Sequence, residues 1–199
     1  MRSSGHFIAQ DGLSLLILAG GRGERVGGQD KGLLNWQGRP LISAVHECYA
    51  PLADEVLISC NRNAERYADF GTPLADVLAD YPGPLAGILR GLQAARYRQL
   101  LIVPCDNPQP PDELYQRLAS SHPQTPVRYA HDGERGQYLY ALLERRPELL
   151  INLQAYLEAG KRSVYGWYEQ AQAHALDCRD MAAQFRNLNR ADAFEAQES

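Results

Sequence analysis

Two runs of the chain, LSLLIL at 13–18 and QLLIV at 99–103, are apolar almost without interruption, and EVLIS at 55–59 forms a third short run between them. A strand with one wet face alternates apolar and polar side chains. Continuous runs this short predict strands covered on both faces, as in a parallel sheet. Between them the spacing becomes helical. Pro40 stands where a first helical turn would begin, followed by Leu41, Ile42, Val45 and Tyr49. In 83–97, Leu85, Ile88, Leu89 and Leu92 form a stripe that needs a sheet to pack against. The alternation of strand, helix, strand, helix and strand predicts an α/β fold with a doubly wound, mostly parallel sheet in three layers. QLLIV runs into PCDNPQPPDEL, where prolines end the strand, Asp112 is placed to cap the next helix, and Asp106 is left at the strand tip.

After Pro126 the pattern changes. VRYAH and QYLYALL flank a polar DGERG turn, which predicts an antiparallel addition in the C-terminal half. Leu149, Leu150, Leu153, Tyr156 and Leu157 mark one more amphipathic helix; a short strand near His174–Asp177, then FRNLN and a final helix, complete the chain. Residues 1–12 show no such pattern and are set aside as a loose, disordered extension, leaving a single domain over 13–199.

Composition narrows the function. The chain of 199 residues is 45% hydrophobic and 22% charged, enough for a real core. A net charge of -4 argues against nucleic acid as partner, because that affinity comes from an excess of Lys and Arg on phosphates. No apolar run approaches the roughly 18–20 residues that span a bilayer, and the N-terminus lacks the apolar stretch of a secretory signal, so no membrane contact and a cytoplasmic location are expected. Cys48, Cys60, Cys105 and Cys178 are scattered singly, with neither zinc nor disulfide spacing, and read as inert or buried thiols.

LAGGRGERVGGQDKGL at 18–33 follows the first strand directly. In open α/β sheets the ligand lies outside the strand carboxyl ends, where both this loop and Asp106 fall. A Walker loop would need Gly-Lys-Ser/Thr, but Lys31 is flanked by Asp30 and Gly32. A dinucleotide fingerprint beginning at Gly21 and Gly23 would need glycine at Val26. What remains is a backbone able to approach a polyphosphate closely, with Arg22, Arg25 and Lys31 adding charge.

This run resembles the N-terminal signature of the MobA family of molybdenum cofactor guanylyltransferases. The similarity continues in order through QGRPLI at 37–42, DVLADYPGPLAGI at 76–88, PCDNP at 104–108, HDGER at 131–135 and NLN at 187–189. The resemblance implies a Rossmann-like nucleotidyltransferase fold, with 13–110 as the nucleotide-binding half and 111–199 as the acceptor-binding half. It also implies Mg²⁺-dependent transfer of GMP from GTP to the terminal phosphate of molybdopterin, with release of pyrophosphate, and transient contacts with other molybdenum cofactor proteins. An acceptor that is already an anion needs no general base, so the rate must come from positioning and electrostatics.

By the same resemblance Lys31, Asp106 and Arg25 carry the catalysis, and Asp106 is the metal ligand. Leu18, Ala19, Gly20, Gly21, Lys31, Ser59, Asp76 and Gly83 would line the nucleotide, with Asp80 competing with Asp76 to read the guanine donors. Gly87 would admit close approach on the pocket's other side. His131, Arg135, Asn187 and Asn189 would face the acceptor. Tyr138 stands where the family tends to have proline, and Arg190 and Ala191 where it continues with Thr-Pro. These departures keep a non-catalytic nucleotide-binding adaptor in play, and a cytidylyltransferase is the nearest enzymatic alternative.

Overall fold

A computed structural model describes residues 10–20, 30–75, 83–122 and 124–188. Gly21, Arg22, Arg25, Asp76, Asp80, Asn189, Arg190, Ala191 and the expected final helix lie outside the described residues. In chain order the strands and helices are β1 (Gln10–Leu18), β2 (Asn35–Trp36), β3 (Arg39–Pro40), α1 (Ile42–Tyr49), β4 (Glu55–Ser59), α2 (Ala64–Tyr67) and β5 (Thr72–Leu74). They continue with α3 (Pro84–Ala94), β6 (Tyr97–Pro104), α4 (Leu114–Ser120), β7 (Val127–His131), β8 (Gly136–Glu144), α5 (Pro147–Glu158), α6 (Val164–Gln170) and β9 (His174–Asp177).

Seven of the strands form one sheet in the order β5-β4-β1-β6-β8-β7-β9. β5, β4, β1 and β6 run parallel, β8 pairs antiparallel with both β6 and β7, and β9 lies parallel to β7. The expected mostly parallel sheet with an antiparallel addition is therefore present, with β8 the reversed strand. Side chains alternate between two cores. Leu15, Ile17, Leu101 and Val103 face α1 and α4, whereas Leu16, Leu57, Leu100 and Ile102 face α3, α5 and α6. Because both faces are covered, the buried stretches 15–18 of β1 and 100–103 of β6 are apolar at every position, which is why they read as unbroken runs.

Three local expectations are corrected. Pro40 does not open a helix: it pairs with Asn35 in the small β2–β3 hairpin, whose turn places Gln37 and Gly38 at φ 51° and 86°. The helix starts at Ile42 instead. Asp112 does not cap α4; Glu113 holds the cap position without a side-chain bond, and the chain there is pinned by Tyr49, whose hydroxyl donates to Pro111 O at 2.6 Å. The first strand begins at Gln10, inside the segment set aside as an extension, because Gln10 pairs with Tyr97 and its N–H donates to Arg96 O.

β1 sends its connection towards β4, and β6 sends its own towards β8 and β7. The carboxyl ends of β1 and β6 thus flank a crevice where the winding direction reverses, the position at which sheets of this kind bind ligands.

Candidate active site

Leu18 ends β1 and Ala19 follows it, both buried, and Ala19 N–H donates to Ser59 O at 2.9 Å. Gly20, the last described residue of the loop's first half, is exposed beside them. Ser59 is itself buried at the tip of β4, below α3. A Cβ on Gly87 would fall on Ser59 Oγ, with Leu18 Cδ2 at 3.1 Å. Gly87 is therefore required by packing of α3 on the strand tips, and the close approach it allows is to Ser59 and Leu18. Gly83 is different: it stands at the N-cap of α3 with φ 124°, in the left-handed region, and a side chain there would meet nothing within 4 Å.

Lys31 opens a short 3-10 turn, Lys31–Leu33, where the chain re-enters the described structure. Its Nζ donates to Asp106 Oδ2 at 2.5 Å. Gly32 presses against the β6 tip, a Cβ there lying 3.1 Å from Cys105 Sγ and 3.0 Å from the Tyr67 hydroxyl. Asp106 is nearly buried, its side chain 13% exposed, and its Oδ1 has no hydrogen-bond partner among the described residues. A buried carboxylate oxygen of this kind suits a hard cation, and Mg²⁺ usually takes one or two carboxylates with substrate phosphates and water. Among the described residues no group of three or more His, Cys, Asp or Glu side chains that could hold a metal ion is found, at Asp106 or elsewhere.

The loop around Asp106 is fixed from below. Asn107 is fully buried; its amide donates to the Tyr140 hydroxyl and to Gln184 O, each at 2.6 Å, while its Oδ1 accepts from Gln109 N. Leu188 N–H donates to Asp106 O at 2.8 Å, which brings exposed Asn187 next to Asp106 in the chain path. Sequence reasoning missed Asn107, whose role depends on partners far away in the chain. Burial pushes the Cys105 thiol well above its ordinary range, with Asp106 adding to the effect and Lys31 opposing it, so it is an inert neighbour. All four cysteines are free, as expected.

His131 ends β7 and Arg135 precedes β8, two strands from β6, or roughly 10 Å across the sheet. Here Asp132 organises the turn. Burial raises its pKa, but bonds from Arg135 N, Gln137 Nε2 and Glu134 N outweigh that and hold it below the usual carboxylate range. His131 Nδ1 accepts from Gly133 N–H, and Arg135 is largely exposed. The structure thus gathers Lys31, Asp106 and Asn187 in one place, Ala19, Ser59 and Gly83 across the crevice, and His131 with Arg135 at its far rim.

A reversed winding point, a lysine–aspartate pair at a strand tip and an adjoining helix N-terminus define a nucleotidyltransferase-type α/β enzyme. The chain belongs to the family of the MobA-like NTP transferase domain, which matches residues 15–174. It is 41% identical over 177 residues to the molybdenum cofactor guanylyltransferase of Ectopseudomonas mendocina (strain ymp), covering 88% of this chain and 87% of that protein. It is 43% identical over 180 residues to the enzyme of the same name from Pseudomonas fluorescens (strain Pf0-1), covering 88% of each. The fold is shared with molybdopterin-guanine dinucleotide biosynthesis protein A from Archaeoglobus fulgidus, at TM-score 0.75 and 20% identity, over 93% of this chain and 97% of that one. No helix among the described residues is long and apolar enough to cross a membrane.

Proposed function

We propose that this enzyme transfers GMP from GTP to the terminal phosphate of molybdopterin. One acceptor phosphate oxygen forms a bond to the α-phosphorus of GTP. The bond from that phosphorus to the oxygen bridging to the β-phosphate breaks, and its electron pair leaves on pyrophosphate. The observation that carries the reading is the Lys31–Asp106 pair at the carboxyl end of β6, with one Asp106 oxygen buried and without a hydrogen-bond partner among the described residues. The names of the relatives supply the guanine nucleotide and the cofactor.

Lys31 binds triphosphate oxygens and offsets the charge that builds as two anions meet. Asp106 would hold the divalent cation, which when bound supplies further neutralisation of the phosphates. The first N–H groups of α3, whose first turn has no acidic residue, favour negative charge in the crevice. Ala19, Gly20, Ser59 and Gly83 are assigned to the nucleoside side together with Leu18, Gly21 and Asp76. Arg25 adds a second cation. His131, Arg135, Asn187 and Asn189 are assigned to the acceptor, whose pterin end lies towards β8 and β7. The test is incubation with GTP, MgCl₂ and molybdopterin, following pyrophosphate. Release that needs all three, and that CTP does not support, is the expected result; background release with a competent acceptor, or faster reaction with CTP, overturns it.

A further inference from the structure

Two residues at the starts of separate helical turns turn their side chains away from the role such positions usually have. Asp30 holds the N-cap of the Lys31–Leu33 turn, and Leu33 N–H donates to its carbonyl, but its carboxylate makes no capping bond. Asn63 holds the N-cap of α2, and the N–H groups of Arg66 and Tyr67 donate to its carbonyl, but its side chain makes no capping bond either. Aspartate and asparagine are among the preferred N-cap residues because their side-chain oxygen takes up a free backbone N–H. Here the two side chains meet instead: Asn63 Nδ2 donates to Asp30 Oδ2 at 2.5 Å.

The surroundings point the same way. The Asp30 side chain is only 6% exposed, and Arg62 Nη2 stands 3.3 Å from its other oxygen. Asn63 sits at φ 53° and ψ 34°, a left-handed conformation that few residues other than glycine adopt readily, with asparagine the common exception. A buried carboxylate, two forgone caps and an unusual backbone angle converge on one contact. What that contact does is set by the next residue. Lys31 reaches Asp106 on the β6 side, while Asp30 ties the same turn to the β4–α2 loop, and Gly32 wedges between.

We infer that Asp30, held by Asn63, is a positioning residue that fixes the backbone of Lys31, so that its ammonium is delivered to the phosphates without a search. This rests on the assignment of Lys31 to phosphate binding and deepens it. Small misplacements of a group that stabilises a transition state are costly, because the geometry must be in place before reaction.

The test is a mutant cycle read in kcat and in KM for GTP. Asp30→Ala lowers kcat/KM by roughly ten- to a hundredfold in the native background and by less than about twofold in Lys31→Ala. Equal losses in both backgrounds, or near-native activity of Asp30→Ala, overturn the proposal. If Lys31→Ala itself has native activity, the phosphate assignment fails instead, a distinct result. Should Asp30→Ala fail to fold, Asn63→Asp sets two carboxylates against each other and loses activity, and Asp30→Asn/Asn63→Asp restores it by reversing the direction of the bond. Absence of that rescue counts against the pair.

Discussion

Lys31 Nζ and Asp106 Oδ2 meet at 2.5 Å across 75 residues of sequence, the lysine delivered by a 3-10 turn and the aspartate by the tip of β6. A single pair thereby joins the cation that would face the phosphates to the carboxylate that would face the metal. Asp106→Asn keeps the shape but removes the charge, so it is expected to cut turnover by roughly 10²–10³ while circular dichroism stays unchanged. Lys31→Ala is expected to raise the calorimetric Kd for GTP and slow transfer as well. Asp106→Asn within tenfold of native turnover would remove Asp106 from its assigned role.

How far this pair was legible is a question of range. Asp106 could be picked out because it stands just past an unbroken apolar run, at a strand carboxyl end, and Lys31 because it is a cation of the glycine-rich loop that follows another such run and matches the family signature. Their contact could not be, since pairing across 75 residues depends on β1 and β6 being neighbours. Asp30, Asn63 and Asn107 left no trace in local pattern: their side chains serve contacts between loops, and alternation and helical spacing report only on faces. β5 was missed because three residues carry no period, and α6 because Ser163, whose hydroxyl accepts from Gly166 N, was not weighed as a cap. Pro40 was misplaced for a related reason, as a proline φ suits an extended pair as well as a first helical turn.

Gly87 yields a test of packing against ligand approach. Gly87→Ala puts a methyl onto Ser59 Oγ and within 3.1 Å of Leu18 Cδ2 and Ser59 Cβ, contacts that α3 cannot relieve without lifting off the strand tips. The expected cost is about 1–3 kcal/mol, read as a lowered Tm, together with weaker GTP binding. Ser59→Ala removes the nearest obstacle, so the double variant should recover part of the loss in Tm. A double variant no more stable than Gly87→Ala alone would show that the clash lies elsewhere.

Arg128 and Glu144 make a second ion pair, Nη2 to Oε1 at 2.7 Å, with the arginine 1% exposed. Arg128 Nη1 also donates to Ser121 O, and Gln99 Nε2 donates to the same Glu144 oxygen. Glu144→Leu leaves a guanidinium buried without its counter-charge, which is expected to cost about 3–5 kcal/mol by chemical denaturation. Because Arg128 and Glu144 pair at the end of the sheet remote from Asp106, KM for GTP should be unaffected at temperatures where the variant is folded. A shift in KM would mean that the sheet transmits the change to the crevice.

His122 and His174 stack with ring centroids 3.6 Å apart and planes inclined by 32°, and His174 lies in register with Arg128. Burial, and then the His122 charge, hold the His174 pKa below its ordinary value. The folded protein therefore binds this proton more weakly than the unfolded chain does. Stability is fully present above the unfolded value of about 6.5 and is lost as pH falls from there towards the folded value. The Tm should fall between about pH 7.5 and about pH 5.5, and His174→Asn should make that slope shallower, since the asparagine does not titrate. His122→Asn removes the neighbouring charge but leaves the burial, so its slope should lie between the two. A native-like slope in His174→Asn would assign the acid sensitivity to other groups, with Glu55 the next to examine. Burial alone would raise that carboxylate's pKa, but bonds from Arg96 and Ser14 bring it below its ordinary value, so the stability it contributes is lost only at more acidic pH.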